Sequence, residues 1–542
     1  MKKILIFCCT VGFVAVFAVT AVLAASPSSP TEDKRMLDAL QYDAFRYMWE
    51  GAHPVSGLAY ECSAMWGDFR PSAVGGTGFG IAAIVVGSDR GWITREQAVG
   101  RVMKIALFLR DKTSRKELHG AFPHWLDGAT GKTLPFSKND NGADIVETSL
   151  LMQGLLMARA YYNGPGLEEK LRAVITELWE DVDWNWFTNG EDSGMYWHWS
   201  PKDGFSAGLK ILGYNECLIT YVLAISSPTH PISRKAYDYW TSGKGYQSKT
   251  VYGYTIEAAL AGAGPLFLAH YSFIGLDPRR MADSFVPGGY FTRNVRHTLS
   301  NRGYCLQNAP ARNRYSEVFW GLTASMSKNG YTVNQPGKDS GTVAPTAALS
   351  SMPYTPHYSL QVLQTLWGEM HKNVWGKHGP YDAVSLRDNW AAKEYLAIDQ
   401  LPMVCMVENY RTALLWRLFM RDADIRRGLA LAGIHEPEFA TGFPEVTITL
   451  LKKGDKYVPD AYDIRRHPDS GLYQVPYWCQ EKGPVLFVLS SPDGTVLLTS
   501  KRDAVKGRNM LTFKQLTPPD SAVCTLTMIA QGKKYILPVR LH

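Results

Sequence analysis

Apolar residues recur at helical spacing along most of this chain, and that periodicity restricts the chain to a mainly α fold. The connections between these segments are long and rich in Gly, Pro, Trp and Tyr, for example Thr188–Gly213 and Gly288–Arg314. Long loops in a compact domain usually carry function. The pattern therefore predicts a toroid of helical hairpins over residues 31–438, with its site at one mouth. The predicted helical segments are Met36–Met48, Arg95–Arg110, Ile145–Tyr162, Leu167–Val182, Glu216–Ile225, Ile256–Ala269, Val318–Ala324, Ser359–Met370, Leu401–Arg421 and Ile425–Ala432.

Beyond residue 440 the hydrophobic pattern changes to the alternation that is typical of strands. The predicted strands are Val446–Leu450, Val485–Leu489, Val496–Thr499, Leu526–Ile529 and Tyr535–Val539, with turns at 453–455, 493–494 and 532–533. A run of this length suits a small immunoglobulin-like β-sandwich over residues 442–542. Tyr473, Tyr477 and Trp478 in this part would suit a sugar-stacking patch or, as we favour, an interface with the helical part.

The N-terminus is typical of an export signal. Lys2 and Lys3 precede an apolar stretch, Ile4–Val22, and the small residues of Leu23–Ala25 end it. We expect residues 1–25 to be removed and the protein to be exported, to the periplasm or beyond, without a stable membrane anchor. An uncleaved transmembrane anchor is the alternative.

Charge and cysteine content exclude several functions. A net charge of +7 over 542 residues is mild, and no long Lys/Arg run is present, so nucleic acid is not an expected partner. The cysteines after the leader contain no C-x-x-C pair and are too few for a disulfide framework. Buried free thiols are expected, with Cys479 and Cys524 as the one pair to watch.

The most informative stretch contains three acids, Asp140, Asp144 and Glu147. Their spacing of i, i+4 and i+7 places all three on one face if a single helix runs through them. The alternative is that the aspartates only cap or decorate a helix start. That alternative explains Glu147 poorly, because its neighbours are core-forming residues such as Ile145 and Leu150.

A second acid, Glu216, lies between a Gly-Tyr-Asn turn and an apolar helical segment. An ordinary acid at a helix start is the alternative explanation. Carboxyl groups on separate elements are what glycoside hydrolysis requires, because one acid protonates the leaving oxygen and one base acts on water.

Motifs for other chemistries are absent or incomplete. Gly131-Lys132-Thr133 lacks the first glycine of a phosphate loop, since Leu126 stands there. Gly76–Gly80 has the wrong spacing for a dinucleotide site, and no Gly-x-Ser-x-Gly elbow occurs. His119 and His124 are interpreted as loop or core residues. We therefore expect no metal and no organic cofactor.

Several further blocks occur in order along the chain, and together with the acids they resemble the glucoamylase-like proteins of glycoside hydrolase family 144. The blocks are 89–95, 119–122, 142–148, 213–216, 227–231, 341–348, 398–400 and 407–412. The resemblance implies an (α/α)6 barrel that cleaves β-1,2-glucan, internally or with release of sophorose, by inversion. It also implies catalytic roles for Asp140, Asp144, Glu147 and Glu216.

From this resemblance and the acid spacing we expect Glu216 to be the general acid. At least one of Asp140, Asp144 and Glu147 should activate or orient water. The expected substrate-binding residues are Tyr214, Asn215, Trp197, Trp199, Trp320, Asp399, Gln400, Glu408 and Arg411. For the tryptophans, which lie on long loops, core packing is an equally good explanation.

The expected partner is thus a β-linked glucan or its oligosaccharides. A polysaccharide lyase on a similar toroid is the first alternative, and it would need a Tyr or His base and cationic groups facing an acidic glycan. A non-catalytic glycan-binding protein is the second, and it would not need clustered carboxylates.

Overall fold

The computed structural model describes residues 29–65, 68–206, 208–242, 244–259, 263–443, 450–453, 456–459, 461–514 and 522–542. The export signal predicted for residues 1–25 lies outside the described residues, as does all but the last residue of the strand predicted at 446–450. Among the helices that are described, none combines the length and the apolarity that crossing a membrane requires.

The described chain is mostly helical up to residue 431 and forms sheets from residue 450. The helices are α1 (Pro30–Gly51), α2 (Val74–Asp89), α3 (Arg95–Lys112), α4 (Ile145–Tyr161), α5 (Leu167–Glu180), α6 (Leu218–Ser226), α7 (Arg234–Trp240), α8 (Tyr290–Gln307), α9 (Pro345–Ser350), α10 (Pro356–Trp367), α11 (His371–Val374), α12 (Ala397–Arg411), α13 (Leu414–Met420) and α14 (Ala423–Leu431). Short strands in their connections are β1 (Ser72–Ala73), β2 (Trp125–Leu126), β3 (Thr133–Leu134), β4 (Ala143–Asp144), β5 (His198–Trp199), β6 (Lys249–Val251), β7 (Tyr254–Ile256), β8 (Ala324–Ser327), β9 (Gly330–Val333), β10 (Trp375–Gly376), β11 (Gly379–Pro380), β12 (Val384–Ser385) and β13 (Trp390–Ala391).

Burial separates the helices into an inner and an outer set. Helices α2, α4, α6 and α12 are buried on nearly every face, whereas α1, α3, α5 and α14 bury one stripe and expose the rest. In the inner set α2 packs on α4, α4 on α6, and α12 on α2, while α1 covers α12 from outside. The last contact joins the two ends of the helical part.

The glycine-rich run 75–80 serves this packing. A side chain at Gly78 would meet the backbone of Leu150, and one at Gly154 would meet the backbone of Gly78. Helices α2 and α4 therefore approach each other backbone to backbone, which only glycine permits at these positions.

Three helical predictions and one loop prediction are wrong. Ile256–Ala269 contains the end of β7 and a short 3-10 turn, and Val318–Ala324 is a loop that enters β8. Gly288–Arg314, taken as a loop, contains α8, whose polar residues are buried rather than arranged on one exposed stripe. Leu401–Arg421 is two helices, because Ala413 adopts a left-handed backbone conformation (φ 58°) between α12 and α13.

The C-terminal sheet region contains β14 (Leu450–Lys453), β15 (Lys456–Pro459), β16 (Tyr462–Ile464), β17 (Tyr473–Cys479), β18 (Gly483–Ser490), β19 (Val496–Ala504), β20 (Gly507–Phe513), β21 (Val523–Ala530) and β22 (Lys533–Leu541). One sheet has the order β16-β22-β21-β18-β19, and β17 pairs with β20 in a separate ribbon. Both contribute to one hydrophobic core, in which the rings of Tyr477 and Phe487 lie 4.8 Å apart. Strands β17 and β20 were not predicted. The six described cysteines are buried and free, Cys479 and Cys524 included, as expected.

Two ion pairs join the sheet region to the helical part, and the first of them is buried on both sides. Arg465 donates to both carboxylate oxygens of Asp33 near the start of α1, at 2.7 and 2.8 Å. Arg411 at the end of α12 donates to Asp469 at 2.8 Å. Tyr473, Tyr477 and Trp478 are buried, which favours packing over an exposed sugar-stacking patch. Whether residues 442–542 form a separate folding unit stays a prediction.

Candidate functional site

The helix starts of α4 and α12 carry two groups of buried carboxyls. Asp144 is the N-cap of α4, and its Oδ1 accepts hydrogen bonds from the backbone N–H groups of Val146 and Glu147, both at 2.9 Å. Its Oδ2 lies 3.2 Å from both the Nδ1 of His124 and the Nε1 of Trp197. The capping interpretation is therefore correct for Asp144, yet the same side chain also belongs to the cluster.

His124 lies at the centre of the first group. Its Nδ1 is 2.9 Å from Oδ2 of Asp140 and 3.2 Å from Oδ2 of Asp144, and its Nε2 is 3.9 Å from Oε1 of Glu147. Burial alone would lower the pKa of His124, but the charge of Glu147 and the hydrogen bonds to the two aspartates outweigh it and raise the pKa well above its ordinary value. The ring is thus an imidazolium at neutral pH.

The three acids do not share one helix, and that prediction is wrong. Helix α4 starts at Ile145, so only Glu147 is helical, whereas Asp144 is in β4 and Asp140 is in the loop before it. The loop before β4, β4 itself and the first turn of α4 instead bring the three acids together around His124. The prediction that they cluster was right for a different geometric reason.

The pKa values of the three acids are shifted in different directions. Burial and the charge of Asp144 raise the pKa of Glu147 to about 8, against the opposing effect of His124. Its Oε2 accepts a hydrogen bond of 2.7 Å from the backbone N–H of Gly75, where a Cβ atom would lie 2.5 Å from that oxygen. The pKa of Asp140 is also raised by burial, and its Oδ1 has no hydrogen-bond partner among the described residues. For Asp144, burial acts upward, but His124 and the backbone donors prevail and lower the pKa.

Glu216 lies just before α6, after a turn in which Gly213 has φ 79°. The backbone carbonyl of Glu216 accepts a hydrogen bond of 2.6 Å from the hydroxyl of Ser272, which fixes the turn. Burial raises the pKa of its side chain to about 7, and the charge of Asp144 adds to the effect. A carboxyl that is half protonated near neutral pH suits a proton donor.

A second group contains Asp399, at the start of α12, with Asp382 and Glu61. Burial raises the pKa of Asp382 to about 6, and the pKa of Asp399 well above its ordinary value. The charge of Asp382 and its hydrogen bond to Asp399 raise the pKa of Asp399 further, whereas the same hydrogen bond lowers the pKa of Asp382. Glu61 accepts a hydrogen bond of 3.0 Å from the indole of Trp125, and burial raises its pKa.

Tyr271 and Tyr331 connect the two groups electrostatically. After burial, the charges of Asp399, Glu216 and Glu147 all raise the pKa of Tyr271. The charges of Asp399 and Glu216 do the same to Tyr331. Carboxyls from both groups thus surround the same phenols, and the helical part presents one acidic site.

Three of the predicted substrate-binding residues lie elsewhere. Glu408 is completely buried and pairs with Arg90 at 2.8 Å, and Arg411 pairs with Asp469. The amide of Gln400 donates to the backbone carbonyl of His378. The side chains of Glu408 and Arg411 are thus used in ion pairs within the protein, whereas Oε1 of Gln400 is buried and has no partner among the described residues.

Several of the predicted aromatic and turn residues are also buried within the protein. Trp320 is fully buried, so the expectation of a stacking platform there is wrong. Tyr214 is also buried, under the guanidinium of Arg293 at 3.9 Å. The side chain of Asn215 accepts a bond of 3.0 Å from the backbone N–H of Cys217 and shapes the turn. Trp197 is half-buried and donates to Asp144, as described above.

Trp199 belongs to an aromatic cluster on the loops, with its ring 4.7 Å from His119 and 5.7 Å from Trp186. The exposed ring of Phe136 stacks on His124 at 4.0 Å. These exposed or half-buried rings next to the carboxyls are suited to contact a sugar ring.

Sequence reasoning missed His124, His198, Glu61 and Asp382. Nε2 of His198 lies 3.5 Å from Oδ2 of Asp140, because β5 pairs with β4. No helical or strand periodicity marks these residues, since their partners lie 16 or more residues away in the sequence. His124, Asp140 and Asp144 also have ligand atoms within 4.8 Å of one another.

The chain is similar to several known proteins. The glycoamylase family model, described as putative glucoamylase, matches residues 208–423. An exo β-1,2-glucooligosaccharide sophorohydrolase (non-reducing end) of Parabacteroides distasonis is 41% identical over 424 residues, which are 74% of this chain and 58% of that protein. The chain thus spans less than two thirds of this curated relative.

Solved structures extend the likeness. An endo-β-1,2-glucanase from Chitinophaga pinensis, solved with sophorotriose and glucose, is 43% identical with a TM-score of 0.71, over 74% of this chain and 99% of that one. A β-1,2-glucanase from Parabacteroides distasonis is 40% identical with a TM-score of 0.71, over 75% of this chain and 60% of that one.

The mostly helical fold is therefore that of the glucoamylase-like class. Within that class the chain belongs to glycoside hydrolase family 144, the family of these β-1,2-glucanases.

Proposed function

We propose that this protein is a glycoside hydrolase that cleaves β-1,2-glucan to sophorose or short oligomers by an inverting acid/base mechanism. The proposal rests on the different pKa values of the carboxyls around one site. Glu216 is poised near neutrality, while the carboxyls around His124 include an ionised one. The relatives that are named for β-1,2-glucan chemistry support the choice of substrate.

Glu216 acts as the general acid. Its pKa of about 7 keeps a large share of the side chain protonated at neutral pH, and transfer of that proton to the glycosidic oxygen makes the leaving sugar neutral. The group would be a poor donor if it were exposed, because an ordinary glutamate is ionised at that pH.

Asp140 acts as the base that activates water. Its Oδ1 has no partner among the described residues, whereas both oxygens of Asp144 are occupied and Oε2 of Glu147 accepts a hydrogen bond from Gly75. Asp144 orients His124, and this cation holds Oδ2 of Asp140. Inversion requires acid and base carboxyls roughly 6.5–9.5 Å apart, so that a water fits between them and the sugar.

The test is incubation of the protein with linear β-1,2-glucan, starch, cellulose and an acidic glycan, followed by product chromatography and by proton NMR of the fresh products. We expect sophorose or short β-1,2-linked products whose new reducing ends first appear as the α-anomer. Strong release of glucose from starch would refute the substrate, and an initial β-anomer would refute inversion. Products that absorb in the ultraviolet would instead identify a lyase.

We also infer that the inner and outer helices form an (α/α)6 barrel and that the C-terminal strands form an immunoglobulin-like sandwich. The alternation of buried and half-exposed helices and the contact of α12 with α1 and α2 support the first inference. The shared core of the two sheets supports the second. Export to the periplasm or beyond rests on the N-terminal sequence pattern alone, and N-terminal sequencing of the mature protein would test it.

A further inference from the structure

The contact between the helical part and the sheet region encloses a cavity of about 210 Å³ that the proposed glucan chemistry does not use. Asn409 and Tyr410, at the end of α12, line it. Asp399 of the acidic site lies at the start of the same helix, ten residues away, or about 15 Å along the axis. The cavity is therefore separate from the acidic site.

The ribbon of β17 and β20 forms one wall. Its register places Trp478 directly opposite Arg508, and Pro476 opposite Met510, so these four side chains share the face that lines the cavity. From the helical part Trp416 and Phe439 contribute aromatic surface, and the rings of Phe439 and Trp478 stack at 3.9 Å.

Two polar groups in this wall are unpaired. The indole Nε1–H of Trp478 is buried, with 8% of the residue exposed, and has no acceptor among the described residues. The side chain of Arg508 is half-buried and makes no hydrogen bond or ion pair with any described residue. A buried donor without an acceptor is costly, and native proteins rarely keep such a group without a reason.

The charged groups around Arg508 do not neutralise its positive charge. Burial and the nearby charge of Arg279 lower the pKa of Arg508 to about 10, against a smaller effect of Asp277. Both oxygens of that aspartate are held by Arg279, at 2.8 and 2.7 Å. Asp463, which also lines the cavity, accepts bonds from Arg540 and His542. The wall of the cavity thus carries a positive charge that the protein leaves unsatisfied.

We propose that this cavity binds a small organic anion, in which a carboxylate or phosphate pairs with Arg508 and a flat ring packs against Trp478 and its aromatic neighbours. A guanidinium pairs well with such planar acceptors, and the indole N–H supplies a second donor. A cavity of about 210 Å³ has room for such a ring.

The experiment uses the full-length protein, with benzoate, glucuronate and inorganic phosphate as probes and with benzyl alcohol and sophorose as neutral controls. Binding is measured by calorimetry and by the thermal midpoint. We expect at least one of the ring anions to bind and to raise the midpoint, and we expect benzyl alcohol to bind at least tenfold more weakly. Binding of neutral rings as tight as that of anions, or no binding of any anion at millimolar concentration, would overturn the proposal.

Variants give a second readout. Arg508→Met keeps the length of the side chain but removes its charge, and we expect it to weaken anion binding at least tenfold while the ligand-free protein becomes more stable. Lys506→Met, on the exposed turn next to β20, is the matched control and should bind as the wild type does. If Arg508→Met instead destabilises the ligand-free protein and leaves anion binding unchanged, Arg508 has a structural role and the proposal is wrong.

Discussion

Replacement of Glu216 by glutamine should abolish most of the activity and at the same time stabilise the protein. Glutamine keeps the shape of the side chain but cannot donate a proton at this site, so hydrolysis should fall by roughly 10²–10⁴, the usual contribution of acid–base catalysis. An acid that only supports a helix start would show the reverse, with near-normal turnover and lower stability.

The magnitude of the stabilisation follows from the pKa of Glu216. Burial raises that pKa from 4.5 to about 7 in the folded state. Between these values the native state binds more protons at this site than the unfolded state, so the free energy of unfolding falls as the pH rises. The difference costs about 1 kcal/mol at pH 5 and about 3 kcal/mol at pH 7. Glutamine has no such penalty, and its gain should therefore grow by about 2 kcal/mol over this range.

The assay is denaturant unfolding of the wild type and of Glu216→Gln at pH 5, 6 and 7, with Glu317→Gln as the control because Glu317 is exposed. The wild-type rate of glucan hydrolysis should also fall as the pH rises above about 7, when Glu216 loses its proton. A stability difference that does not change with pH would refute the argued environment of Glu216. Near-normal turnover of the variant would refute its role as acid.

Three further predictions concern other parts of the molecule. Asp144→Asn should keep the N-cap of α4 and the melting temperature within a few degrees but lose most activity, because the amide cannot hold His124 as an imidazolium; full activity would leave Asp144 with the capping role alone. Gly75→Ala should lower both turnover and stability, since its Cβ would lie 2.5 Å from the carboxylate of Glu147. The control is Gly100→Ala, which should be neutral or stabilising because nothing lies within 4 Å of that Cβ position. Equal behaviour of the two variants would contradict the close approach of Gly75 to Glu147. A chain that ends at residue 438 should be less soluble or melt at a lower temperature, and it should retain measurable hydrolysis if it folds. Thermal scans and product assays measure both effects. Full stability together with weaker binding of long glucans only would make the sheet region a glycan-binding module.

Much of the helical part could be predicted because outer helices follow a simple rule. Segments such as Arg95–Lys112 and Leu167–Glu180 bury one stripe and expose the other, so their periodicity is visible in the sequence. Two other helices lack that contrast. Val74–Asp89 is buried on nearly every face and rich in glycine, and Tyr290–Gln307 buries polar residues, so both were missed.

The acidic site was predictable only in part. Asp140, Asp144 and Glu147 are close in sequence and were found, although the helix assumed for them was wrong. His124 and Asp382 could not be found in this way, because the partner that gives each its chemistry lies 16 or more residues away, beyond the spacing of helical or strand periodicity. A lone histidine in a sequence carries no sign of the three carboxyls that will surround it.

The closure of α1 onto α12 has a consequence for how the chain is made. Gln41 bonds to the backbone of Val404, which follows it by 363 residues, and Arg465 reaches back to Asp33. During synthesis the first helix emerges long before its packing partners, and its apolar stripe therefore stays uncovered until most of the chain has been made. Contacts of such long sequence separation slow folding. We therefore expect the nascent protein to depend on chaperones until its last segments arrive.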